Sequence, residues 1–190
     1  MRAVETIAVI GAGTMGRGIA QAAATSGFEV RIVDADAGAL SRGLASIEDV
    51  LGMLTHDFTL ATFSDSGAHA AQEMGSSLQT HFIHYWVNRR GAFTLEQAIR
   101  KMTHDNARAF ELRGRGLVKE GYQADLVLLE ADRVRPHLPR IENDLPGGAR
   151  RLVQKADGIR ATIVNGVVTL ENGESTGNFS GQVLKGAPAG

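Results

Sequence analysis

The spacing of apolar positions changes character along the chain. Val4 to Ile10 (VETIAVI) is a short apolar run rich in β-branched residues, which predicts a strand buried on both faces. Between Thr14 and Ser26, Met15, Ile19, Ala22 and Ala23 recur at helical spacing, and Gly27 stands where a helix would stop. Phe28 to Val33 (FEVRIV) predicts a second strand, ending at Asp34. Leu40, Leu44, Ile47, Leu51 and Leu54 then follow in steps of four and three, so one amphipathic helix is expected over 39–54. Thr59 to Phe63 (TLATF) predicts a third strand, leading into Ser64-Asp65-Ser66-Gly67-Ala68-His69.

Farther on, Leu78, Phe82, Tyr85 and Trp86 form a helical stripe closed by Gly91. Thr94 and Gln97 have the spacing of a capping box, opening a helix whose buried side is Leu95, Ala98, Ile99 and Met102. Asp105 is expected to cap a further helix reaching about Leu112 and ended by Gly114. From Gly116 the pattern turns to β: Ala124 to Glu130, a polar loop rich in Arg and Pro, then Ile159 to Leu170. Within that last stretch Asn165-Gly166 separates ATIV from VVTL, a strong hairpin signal. The expected fold class is α/β. It comprises a partial Rossmann-like β-α-β-α-β unit, a helical segment and a small C-terminal β sheet, divided at 1–56, 57–113 and 114–190. In this arrangement strand 59–63 completes the unit begun by the first two strands.

Composition narrows the partners. At 190 residues the chain has room for one ordinary domain or two small ones. Lys plus Arg number 20 against 21 Asp plus Glu, a net charge of −1, which gives no electrostatic case for nucleic acid or an anionic membrane as partner. No apolar run approaches the roughly 18 residues of a membrane helix. With no cysteine there is neither a disulfide nor a thiolate ligand, and a glycine-rich turn within the first dozen residues argues against a signal peptide. A cytoplasmic context is expected.

The sharpest motif is that turn. Gly11, Gly13 and Gly16 make G-x-G-x-x-G between a predicted strand and a predicted helix. The first glycine permits the tight turn, the second lets backbone approach a pyrophosphate, and the third lets helix pack on strand. A pyrophosphate would then sit on the helix N-terminus, where free N–H groups favour an anion. Asp34 falls 21 residues after Gly13, where a carboxylate accepts both ribose hydroxyls and repels a 2′-phosphate. NAD is favoured over NADP.

The stretch from Ile7 to about Ser46 (IAVIGAGTMGRGIAQAAATSGFEVRIVDADAGALSRGLAS) resembles the opening of a 3-hydroxyacyl-CoA dehydrogenase. The resemblance implies that Gly11, Gly13, Thr14, Met15, Gly16 and Asp34 contact NAD. That family's His-Phe-Phe-like catalytic segment, its paired Glu and its acyl-CoA-binding helical domain do not occur in this sequence.

From about Glu48 to Gly186 a different likeness takes over. TLATFSDSGAHAAQ, HYWVNRRGAFTLEQAIRKMTHDNARAFEL, GRGLVKEGYQADLVLLE and NDLPGGARRLVQKADGIRATIVNGVVTLENGE resemble the C-terminal end of metal-dependent amidohydrolases, on the N-acyl-D-amino-acid deacylase branch. The resemblance implies that strand 59–63 corresponds to the last strand of a (β/α)₈ barrel. It also implies that Asp65 contacts a zinc-activated water and shuttles a proton during amide hydrolysis. The family's remaining ligands, a His-x-His pair, a Cys or modified Lys and two more histidines, do not accompany it here, whereas a catalytic zinc wants about three protein ligands. The chain therefore reads as a chimera, joined near 47/48 inside one amphipathic helix.

Other residues offer less. His81 and His84, spaced i, i+3, are the best further metal pair, though no carboxylate pair accompanies them on their helix. His69 reads as a loop residue near Asp65, and His56, His104 and His137 as surface positions. Arg150-Arg151 beside Gly147-Gly148 reads as a solvated turn, and residues 180–190 as a loose tail. Uncovered apolar faces and strand edges are expected, and with them a homo-oligomer. Three functions stay open: an NAD-binding module, a hydrolase portion needing barrel strands from a partner, and a rearranged product without catalysis.

Overall fold

The computed structural model describes residues 6–10, 19–20, 29–34, 38, 41, 49–61 and 77–184. Strands β1 (Thr6–Ile10) and β2 (Glu29–Val33) form where the two β-branched runs were expected, and they pair in parallel from Thr6↔Glu29 to Ile10↔Val33. Residues 19, 20, 38 and 41 are helical, as are 49–55. Residues 59–61 lie in no strand, and 62–63 lie outside the described residues. Among the described residues the parallel sheet thus has two strands, and the expected third is not seen joining them. The stretch TLA has the composition of a strand, but the Ala61 carbonyl accepts from the side chain of Asn106 instead of from a strand neighbour.

Among the described residues the helices within 78–109 carry most of the buried hydrophobic side chains. Helix α1 (Leu78–His81) continues directly into a π-helical run, Phe82–Arg89. The sequence spacing predicts the element but not its wider winding, because one α-helical stripe fits the apolar pattern equally well. Phe82, Ile83, Tyr85 and Trp86 are buried, and Gly91 takes φ +58° just past the end. Helix α2 (Leu95–Met102) opens with the expected capping box: Thr94 Oγ1 accepts from Gln97 N–H, and Gln97 Oε1 accepts from Thr94 N–H. The core joins Ala61, Phe82, Tyr85, Trp86 and Ala98, with Val50, Leu51 and Leu54 packed against it. Trp86 sits edge-on to Tyr85 at 4.9 Å, and Phe82 lies 5.1 Å from Phe93.

Helix α3 (His104–Ala109) is shorter than expected and Asp105 does not cap it. Asp105 stands in the first turn and accepts from Arg100 Nε at 3.2 Å. The chain leaves the helix at Glu111, whose φ is +54°.

The remainder is β. Strands β3 (Leu126–Leu129), β8 (Ile159–Val164), β9 (Val167–Glu171) and β10 (Glu174–Ser175) make an antiparallel sheet in the order β10-β9-β8-β3. Asn165-Gly166 turns β8 into β9 with φ of 51° and 79°, as the hairpin signal predicts. Asn172-Gly173 repeats the device between β9 and β10, with φ of 49° and 81°. A short pair, β4 (Arg135–Pro136) with β7 (Ala156–Asp157), brackets another hairpin, β5 (Arg140–Leu145) with β6 (Ala149–Val153).

That last hairpin corrects the expected polar loop. Arg150 and Arg151 lie on β6 and not in the turn, which Gly147 and Gly148 supply at φ of 73° and 71°. Charges conceal the strand pattern here, because the hairpin has no buried face to demand alternation. Its register is supported instead by a two-pronged Arg151–Asp144 pair, at 2.7 and 2.6 Å. Apolar exposure is extensive in the tail: Val127 and Leu128 of edge strand β3 are 53% and 52% exposed, and Phe179 is 92%.

Candidate functional site

The glycine turn (Gly11, Gly13, Thr14, Met15, Gly16) lies outside the described residues, as do Asp65 and His69. Asp34 is described: it immediately follows β2 and is partly buried. A carboxylate at the end of the second of two parallel strands is where a ribose would be met. The approach to Asp65 is also partly visible. Ala61 is buried, and its carbonyl accepts from Asn106 Nδ2 at 2.8 Å. His56 O accepts from Lys101 Nζ at 3.3 Å. These two bonds fasten residues 56–61 to helices α2 and α3. Neither Asn106 nor Lys101 was marked by the sequence, since a lone polar residue on a helix gives no sign of reaching a carbonyl 45 residues away.

His81 and His84 are placed side by side, His81 at the end of α1 and His84 in the π-helical run. His81 stacks on Tyr85 at 5.4 Å. Burial, helped by the neighbouring His84, pushes the His81 imidazole down to about 4. His84 is lowered as well, first by burial and then by Arg89. Both rings are neutral at pH 7, which suits metal ligation and helix packing alike. His84 Nε2 is buried without a hydrogen-bond partner among the described residues.

A cleft of about 580 Å³ opens beside His84, lined also by Glu130, Arg135, Asp157 and Arg160. Glu130 is engaged by Arg133 at 3.0 Å and by Arg160, and Asp157 by His137 at 2.8 Å. Among the described residues no group of three or more His, Asp or Glu could hold a metal ion. The described residues therefore do not by themselves fit a divalent ion. Of the other histidines, His56 is exposed beside Phe58 and His137 is exposed in its pair with Asp157. His104 is partly buried, its Cα 3.0 Å from where a Cβ on Gly116 would stand.

A model of the amidohydrolase family matches residues 19–170, most of the sequence. The chain belongs to the amidohydrolase family. It is 34% identical over 100 residues to the D-aminoacylase of Alcaligenes xylosoxydans xylosoxydans, a match covering 53% of this chain and 19% of that relative. A second, shorter match is to the 3-hydroxyadipyl-CoA dehydrogenase of Escherichia coli (strain K12), 52% identical over 44 residues, covering 23% of this chain and 9% of that enzyme. Among solved structures, a mutant D-aminoacylase in complex with CuCl2 is 32% identical with a TM-score of 0.43, covering 56% of this chain and 20% of that one. A D-aminoacylase structure concerned with that enzyme's binuclear metal center is 29% identical with a TM-score of 0.40, covering 53% and 19%.

This amidohydrolase-family chain thus spans about a fifth of the length of the D-aminoacylase it matches. The family match begins at residue 19, well before the join expected at 47/48. Among the described residues no helix is long and apolar enough to cross a membrane.

Proposed function

We propose that this chain carries one catalytic position and the C-terminal segment of a D-aminoacylase-like hydrolase of amide C–N bonds, dependent on a divalent metal. Its likeness to D-aminoacylase, at 34% identity over 100 residues, is the observation that carries this reading. Asp65 is the residue assigned to proton transfer, by family resemblance. Hydrolysis then depends on ligands beyond the residues present, supplied by a chain bearing the other barrel strands. The exposed edge strand β3 and its neighbours in the tail sheet favour association, with another chain or with a second copy.

A second reading concerns the N-terminus. The short dehydrogenase match, the parallel β1–β2 pair and Asp34 directly after β2 favour a β-α-β half of a dinucleotide site, fused to the hydrolase segment. Binding of NAD(H) is the one activity these residues support unaided. The test is a titration of the purified chain into NADH, following cofactor fluorescence, beside Asp34→Ala. Saturable binding weakened about tenfold by the substitution, the loss of a two-point ribose contact, supports the reading. A flat titration from a folded, monodisperse sample rejects it and leaves a fusion product without a nucleotide site.

A further inference from the structure

A second cleft, about 710 Å³, lies among residues 54–60, Phe93 and helices α2 and α3. Neither Asp34 nor the His81–His84 pair is among its lining residues, so it rests on neither of those groups. Its volume falls in the range of small-molecule sites. Leu54, Phe58, Leu60 and Phe93 supply apolar wall, and Phe58 is left 91% exposed. Two contacts steady the Phe58 segment: its ring lies 5.7 Å from the His56 ring, and its backbone N–H donates to His56 Nδ1 at 3.3 Å.

Lys101 also lines the cleft and is only 9% exposed. An ammonium has three N–H donors to satisfy. Among the described residues Lys101 has one bond, a long one of 3.3 Å to the carbonyl of His56. With one neutral acceptor, the ammonium keeps donor capacity that an anion in the cleft could use. Arg108 lines the same cleft and meets no carboxylate among the described residues, whereas Arg100 is already engaged by Asp105. With Arg100, Lys101 and Arg108 set against Asp57 and Asp105, the lining carries one net positive charge.

We propose that this cleft binds a small organic carboxylate, its anionic group between Lys101 and Arg108 and its apolar body against Phe58, Leu60 and Phe93. One net positive charge matches a monoanion and not a phosphate dianion. The aromatic and aliphatic walls ask for a hydrocarbon body, not an inorganic ion. A lone structural duty for Lys101, capping the carbonyl end of the helix through 49–55, would leave Arg108 and the apolar walls without a part.

Calorimetric titration of the full chain with phenylacetate tests this, with phenylacetamide and inorganic phosphate as alternative probes. Phenylacetate is expected to bind saturably, phenylacetamide at least tenfold more weakly, and phosphate not to compete. Lys101→Met, which keeps the apolar stem, should weaken phenylacetate at least tenfold. Arg108→Gln, at an exposed position, should weaken it about threefold or more. If Lys101→Met does not fold, Arg108→Gln and the amide probe decide the matter alone. The proposal is overturned by no binding to the native chain, equal binding of the amide, effective competition by phosphate, or unchanged affinity in folded variants.

Discussion

The helical middle and the β tail solve the same problem differently. The middle buries Phe82, Ile83, Tyr85, Trp86 and Ala98 and closes its helix ends with a capping box and a left-handed glycine. Among the described residues of the tail the most deeply buried side chain is Val134, at 1% exposure, while much of the four-stranded sheet stays open to solvent. Turns and ion pairs organise the tail: two Asn-Gly turns, Arg151 on Asp144, Arg115 on Asp125, and Asn165 N–H donating to Asp125 at 2.8 Å. Exposed ion pairs contribute little to stability. Register and stability thus have separate sources here: turn chemistry and ion pairs set the first, and apolar burial supplies the second.

Removing the largest buried ring is the strongest way to break that contrast. Trp86→Ala should cost about 3–5 kcal/mol, read as a lower urea midpoint by circular dichroism, because a buried indole leaves a cavity its neighbours cannot fill. A loss below about 1 kcal/mol would mean the ring is not in a close-packed core. Gly158→Ala attacks the tail at its tightest point. Gly158 has φ +80°, and a Cβ there would stand 2.7 Å from Val134 N. Backbone strain and overpacking together predict about 2–4 kcal/mol. Trp86 is the sole tryptophan, so its fluorescence reports the helical core specifically. If that midpoint falls as far as the tail's, the two regions unfold as one cooperative unit and the contrast is weaker than drawn.

Acid should act on the helical side. The His81 imidazole is depressed to about 4 from its ordinary value of 6.5, chiefly by burial. The unfolded chain thus binds the proton first, so the stability from the neutral ring is present above pH 6.5 and lost as pH falls toward 4. A loss on the order of 2–3 kcal/mol over that window is expected, seen as a falling Trp86 midpoint and flattened by His81→Phe. A pH-independent midpoint would contradict a neutral, partly buried His81 ring in the folded chain. The smallest effect is expected at Arg151→Gln: no measurable change in melting temperature, since the pair with Asp144 is exposed.

How legible each part was follows the same division. The apolar stripe through Trp86, the Thr94–Gln97 box and the Asn165-Gly166 turn are local signals, and each forms as its residues predict. The π winding of Phe82–Arg89, the hairpin at 140–153 and the strandless path of 59–61 depend on neighbours distant in sequence. No local period announces them. In the candidate site, Asp34 was marked by its distance from a glycine turn. Lys101 and Arg108 were not, because their significance arises only when residues 54–60 fold over α2 and α3.

The proposed role, a D-aminoacylase-like segment working with barrel strands from another chain, has a direct test. The direct measurement is hydrolysis of an N-acyl-D-amino acid with zinc present, by the chain alone and mixed with a D-aminoacylase lacking its own C-terminal segment. No turnover is expected from either component, and turnover from the mixture, abolished by Asp65→Asn. Turnover by the chain alone would contradict it, and silence from a mixture of two folded components would equally count against it.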